Sequence, residues 1–124
     1  GDPAAVPFDI VEPFAKLGEG HTGYTHQANH KSFDDRYFTL LMASADTPKQ
    51  SLALQSRGAK TFRVALPDDS LFEHESECFA DSEGIQCADC LQCNGQQGNI
   101  AIQVHGSRKS NFKSSLINTI TIAA

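Results

Sequence analysis

The sequence predicts a small α/β domain: a mainly parallel sheet of about four strands, flanking helices, and a cysteine-bound metal knuckle between two strands. Three observations lead there. Two apolar, β-rich runs, 37–43 and 60–66, bracket a helix with a well-marked start, which is the pattern of a βαβ unit with parallel strands and a right-handed crossover. A third run, 99–105, alternates Ile100, Ile102 and Val104 against Ala101 and Gln103, as a strand does. Between these runs lie all four cysteines of the chain, Cys78, Cys87, Cys90 and Cys93.

Taken in order, residues 7–17 carry Phe8, Val11, Phe14 and Leu17 at helical spacing and stop at Gly18. Pro13 interrupts that pattern, because an interior proline removes a backbone hydrogen bond, so the helix either kinks there or begins there. The aromatic and β-branched residues of 21–26 predict a short strand, and the polar stretch 27–36 a loop. The nearly continuous apolar run 37–43 fits a strand covered on both faces. Thr47 is placed to cap the next helix, Pro48 suits its first position, Gln50 completes a capping box, and Gly58 ends it. After the strand at 60–66, Pro67 and two aspartates break the pattern, and the acidic stretch 70–77 leads into the cysteines as a loop. Phe112, Leu116 and Ile120 predict a last helix, although the β-branched residues 119–122 equally suit an edge strand.

The totals narrow the class. At 124 residues the chain fits one domain, 1–124, able to bury a core without a metal or disulfides merely to fold. No apolar run approaches the roughly 20 residues of a membrane span. A net charge of -5 works against unspecific attraction to nucleic acid, and the small basic cluster Arg108, Lys109 and Lys113 reads as a solvated face. The first residues show no secretory signal, so a cytoplasmic, reducing setting is expected, where clustered cysteines bind metal more often than they form disulfides.

The cysteines form an overlapping C-x2-C-x2-C with Cys78 upstream, and Gly84, Asn94 and Gly95 supply the tight turns that bring thiolates to one centre. Structural zinc held by Cys78, Cys87, Cys90 and Cys93 is the leading expectation, since zinc is the usual occupant of closed thiolate sites. A 4Fe-4S cluster is the alternative, because the same core spacing serves ferredoxin-type ligation, although the following Cys-Pro is missing. Free thiols or two disulfides remain open. The segment 78–93 is expected to be an insertion at a strand end, ordering a long acidic loop at one rim of the sheet. Nucleic-acid contact through it is not expected, because acidic residues surround it.

A second candidate site lies at the carboxyl ends of the strands, where open α/β sheets hold ligands. His26, Asp46 and His105 are the cofactor-binding candidates, with Tyr24, Thr25, Ser44 and Asp68 at comparable positions, whereas His21 and His74 read as exposed loop residues. The run 18–23 matches G-x-G-x-x-G, but it follows a helix and precedes a strand, the reverse of a dinucleotide-binding turn. No nucleophile elbow, phosphate-binding loop or H-E-x-x-H occurs, which removes the usual warrants for hydrolases, kinases and zinc proteases.

Several stretches resemble a family of uncharacterised proteins of tailed bacteriophages and phage-like metagenomes. They are Gly1-Asp2, Thr22-Gly-Tyr-Thr-His-Gln27, Leu41-Met-Ala-Ser-Ala-Asp-Thr47, Thr61-Phe-Arg-Val64, Cys87-Ala-Asp-Cys-Leu-Gln-Cys93 and Ile102-Gln-Val-His-Gly106. In longer members of that family this stretch is the C-terminal half, preceded by a half that looks like a partial β/α barrel of radical-SAM type. The resemblance therefore implies either a metal-stabilised structural or interaction domain, or the C-terminal half of a barrel enzyme with an iron-sulfur cluster. The implied partner is another protein or that missing half. This chain lacks the radical-SAM C-x3-C-x2-C, which leaves cofactor chemistry unassigned to its residues.

Overall fold

Among the described residues, five parallel strands, β1 (Tyr24–Thr25), β2 (Met42–Ala45), β3 (Thr61–Ala65), β4 (Glu75–Glu77) and β5 (Asn99–Gln103), form one sheet in the order β1-β2-β3-β5-β4. The computed structural model describes residues 1–106 and 110. The expected C-terminal helix or strand over Phe112, Leu116 and 119–122, and the basic residues Arg108, Lys109 and Lys113, lie outside the described residues. The α/β class with parallel strands is as expected, with one strand more. Because β5 is inserted between β3 and β4, the order departs from the strictly sequential one of a β/α barrel.

The βαβ unit forms as its sequence signals require. Helix α2 (Pro48–Ser56) starts where the Thr47 hydroxyl accepts the Gln50 amide (3.2 Å), with Pro48 at its first turn. The capping box is displaced by one residue: Gln50 Oε1 accepts the amide of Asp46 (2.9 Å), not that of Thr47. Gly58, at φ +90, turns the chain out of the helix. Leu54 then packs on Ala43, Ala45 and Ala59, while Leu52 faces solvent.

Three expectations are corrected. The run 37–43 is a strand only from Met42; before it a 3-10 helix covers Asp35–Thr39. Asp34 accepts the Arg36 amide (3.0 Å), and the Tyr37 hydroxyl donates to the carbonyls of Pro3 and Val6, so this apolar run is spent on docking the N-terminus. Around Tyr37, Phe8, Leu40 and Leu41 form a cluster that also takes Val11 and Ala15. Helix α1 (Phe8–Ala15) keeps Pro13 inside it, which decides between the two alternatives the sequence leaves open, but it buries only Phe8 fully; Phe14 and Leu17, expected on its apolar face, stay exposed. The acidic stretch 70–77 is not all loop, because it supplies the edge strand β4.

Alternation divides the sheet into two faces. One carries Thr25, Ala43, Ala45, Thr61, Arg63, Ala65, Asn99 and Ala101, and α2 covers it; the other carries Tyr24, Met42, Phe62, Val64, Ile100 and Ile102. Small side chains on the first face let α2 approach closely. The Ser51 hydroxyl meets that of Thr61 (3.1 Å), and Asn99 Oδ1 accepts the Thr61 amide (3.0 Å), tying α2, β3 and β5 together.

Arg63, in the central strand, is 1% exposed yet charged. Its Nε and Nη2 donate to the two oxygens of Glu75 at 2.8 and 2.7 Å, its Nη2 also donates to Ser70 O at 3.2 Å, and its guanidinium lies 4.4 Å from the centre of the Phe72 ring. Burial raises the Glu75 pKa, but the Arg63 hydrogen bonds, the Phe72 amide and the Arg63 charge outweigh it and leave the carboxyl below its ordinary value. Removing one partner strands a buried charge, so Glu75→Gln is expected to lower stability by about 3–5 kcal/mol in urea unfolding. Double replacement by Arg63→Met and Glu75→Leu should recover much of that loss.

The same pair predicts an acid-labile component. Since the folded Glu75 pKa is depressed, its contribution is complete above the unfolded-chain value of about 4.3 and is lost as pH falls through the lower folded value. Urea midpoints measured from pH 6 downward should therefore fall below about pH 5. The Arg63→Met, Glu75→Leu protein should lack that part of the decline.

Candidate metal centre

The cysteine segment begins at one edge of the sheet and ends beside the other. Cys78 directly follows β4, and its amide donates to Ala101 O of β5 (2.9 Å). Two single-turn helices come next, α3 (Phe79–Ser82) and α4 (Cys87–Cys90), with Gly84 at φ +70 between them. Leu91, at φ 54, is the only non-glycine residue with positive φ among the described residues, and it bends the chain between Cys90 and Cys93. Cys93 then comes to rest beside β1, where its carbonyl accepts the Gly23 amide (3.0 Å).

This corrects the expectation of a loop confined to one rim. Cys93 is 8% exposed and packs with Met42 and Ile100, with Tyr24, Phe62 and Cys78 against them, so the segment covers part of the sheet's second face. The reason lies in the strand order. A connection from edge strand β4 to interior strand β5 runs over one face, and α2 already occupies the other.

All four cysteines are free and line one small cavity of about 20 Å³, together with Tyr24, Ile85 and Leu91. Cys87 is exposed, Cys78 and Cys90 are half-buried, and Cys93 is buried. Burial pushes the Cys93 thiol up; its pairing with the Tyr24 hydroxyl lowers it, and the charges of Cys78, Cys87 and Cys90 raise it again. Burial, then the Cys93 sulfur, raises the Tyr24 phenol above its ordinary range. Among the described residues, no group of three or more His, Cys, Asp or Glu side chains is placed so that it could hold a metal ion. The thiols therefore share a cavity and a field, without converged ligand geometry.

The strand-end candidates divide. His26 and Asp46 meet, with Nε2 and Oδ1 3.7 Å apart, but both side chains are about two-thirds exposed, at 65% and 64%. Asp2 joins them by accepting the His26 amide (2.8 Å), and its other oxygen accepts the Ala4 amide (3.0 Å). His105 follows β5 and is exposed, separated from β2 by β3 at roughly 4.8 Å per strand, so it does not join the pair. His21 is not a free loop residue: its Nε2 lies 2.8 Å from Leu40 O and donates to it. Tyr24, grouped by sequence with the strand ends, belongs to the cysteine cavity. Its place could have been read only from the alternation that sets Tyr24 and Met42 on the same face.

Gly95 locks the end of the segment. At φ +85, a Cβ there would lie 2.7 Å from Leu41 N and 2.9 Å from Leu40 C, both backbone atoms. Gly95→Ala is expected to cost about 2–5 kcal/mol from the combined backbone strain and overpacking, read by thermal or urea unfolding. No protein-family model matches the chain, and no curated protein or solved structure matches it.

Proposed function

We propose that this chain is a zinc-stabilised structural or interaction domain, in which Cys78, Cys87, Cys90 and Cys93 hold a single ion. One observation carries the reading: four thiols from opposite ends of a segment line one cavity against the sheet. Cys78 and Cys93 are fixed by backbone hydrogen bonds to the sheet region, whereas Cys87 and Cys90 sit on a single helical turn. An ion at the roughly 2.3 Å zinc–sulfur distance would draw the second pair onto the first. Zinc is favoured over the iron-sulfur alternative because it is the usual occupant of closed four-thiolate sites and no Cys-Pro completes the cluster-type spacing.

A structural or interaction role fits better than catalysis, because zinc bound by four thiolates leaves no open position for substrate. The exposed His26–Asp46 pair, without His105, offers no enclosed polar site as a competing centre. In the setting suggested by the tailed-phage resemblance, the partner is another protein. Glu73, Glu77, Asp81, Glu83 and Asp89 give the exposed surface around the cysteines an acidic character that repels nucleic acid. Among the described residues, no helix is long and apolar enough to cross a membrane.

Metal analysis of protein purified without oxygen or chelators tests the reading. Stoichiometric zinc and a colourless solution are expected. Stoichiometric iron with broad visible absorbance would replace zinc by a cluster, and absence of bound metal, with no uptake on zinc titration, would remove the proposal. In urea unfolding, free zinc at about a hundred times Kd should stabilise the wild type by about 2.7 kcal/mol. Cys90→Ser should lose most of that gain while circular dichroism still reports the α/β core.

A further inference from the structure

We propose that Tyr24 is the positioning residue of the four-cysteine site, its hydroxyl donating a hydrogen bond to the Cys93 sulfur when the metal is bound. The inference rests on the zinc reading above and adds to it a residue outside the ligand set. Tyr24 opens β1, on the sheet face that the cysteine segment covers, and its side chain lines the cavity with all four cysteines. Its ring is held edge-on to Phe62, with centroids 4.8 Å apart, and packs in the cluster of Met42, Cys93 and Ile100. The neighbouring Gly23 amide donates to the Cys93 carbonyl (3.0 Å), so the main chain of Cys93 is held beside the residue that precedes Tyr24.

The chemistry follows from where Cys93 lies. It is the most buried of the four thiols, so water is least able to solvate its thiolate charge. A phenol is a donor that can take water's place, and it aims the sulfur toward the cavity while withdrawing some of its charge. Cys87 and Cys90, nearer solvent, have less need of such a partner. Loss of an outer donor of this kind typically weakens metal binding about 10–100-fold.

Cobalt(II) is the probe, because thiolate-to-cobalt absorption reports the electron density on sulfur. Wild type and Tyr24→Phe are titrated with cobalt, and zinc affinity is read by competition with a chelator. Tyr24→Phe keeps the ring against Phe62, so its metal-free unfolding midpoint should stay close to wild type. Its zinc affinity should fall about 10–100-fold. The charge-transfer band should move to longer wavelength, and Cys93 in the loaded protein should be alkylated faster, as a more electron-rich sulfur requires. Incorporation of fluorotyrosine, a stronger donor, should move the band the opposite way. Tyr37, the other tyrosine, lies in a separate cluster and does not report there.

Cobalt uptake with an unchanged affinity and band in Tyr24→Phe overturns the assignment of Tyr24 alone. If Tyr24→Phe does not fold, an unshifted band in the fluorotyrosine protein overturns it equally. Failure of the wild type to bind cobalt or zinc removes the metal site itself, and the role of Tyr24 with it.

Discussion

Arg63 is the constraint on which much of the rest depends. A guanidinium at the centre of the sheet, almost without exposure, is untenable unless an opposite charge is brought to it with its hydrogen bonds satisfied. Glu75 meets that demand and Asp69 stands 3.7 Å off, so the chain after β3 must fold back over the strand it has just left. Having placed Glu75 against Arg63, the chain runs on as β4 in register with β5, Glu75 opposite Asn99 and Glu77 opposite Ala101. Cys78 is the next residue. The position of the first candidate ligand is thus a consequence of neutralising a buried charge two strands away.

The two faces solve the covering problem differently. On the first, alanines and threonines bring α2 close, and Ser51, Gln55, Thr61 and Asn99 satisfy one another, so that among the described residues no buried side-chain polar atom lacks a partner. On the second, larger side chains stand out from the sheet, and a segment with only two single-turn helices lies over part of them. Phe62, Val64 and Ile102 keep partial exposure there. The first face is closed by shape and hydrogen bonding; the second depends on a segment with little regular structure.

Legibility in the sequence followed local signals. The βαβ unit was readable because Thr47, Pro48 and Gly58 act within their own turn of chain, and β5 because its alternation is clean. The strand at 37–43 was misread because apolar character records burial, not conformation, and Tyr37 is buried by a bond to the N-terminal turn that no local pattern announces. β4 was missed for the opposite reason: Glu-Ser-Glu has poor strand propensity and is held by Arg63 from across the sheet. The cysteine spacing indicated a shared metal centre; the four cysteines line one cavity, while among the described residues no group of three or more metal-ligating side chains is placed to hold an ion. That the segment crosses a face was hidden, because it follows from the exchange of β4 and β5 in the sheet order. Of the strand-end candidates, the pairing of β1 with β2 joins His26 to Asp46, whereas β3 separates His105 from them.

That exchange also supplies the physical case for a cross-link. A four-residue helix gains too few hydrogen bonds to repay its own nucleation, so α3 and α4 cannot hold their segment in place by propensity. Nor does the segment bury much, since Phe79 and Ile85 remain 40% and 39% exposed and Cys87 faces solvent. Leu91 adds a cost, being held in a left-handed conformation. Hydrogen bonds from the rest of the chain anchor the segment near its ends, at the Cys78 amide and at the Leu91 and Cys93 carbonyls. A ligand binding only the folded arrangement would stabilise the middle by mass action, and the thiols of Cys87 and Cys90 are among the groups there that could bind it. The arrangement therefore asks for a tie at the place where the sequence puts its cysteines.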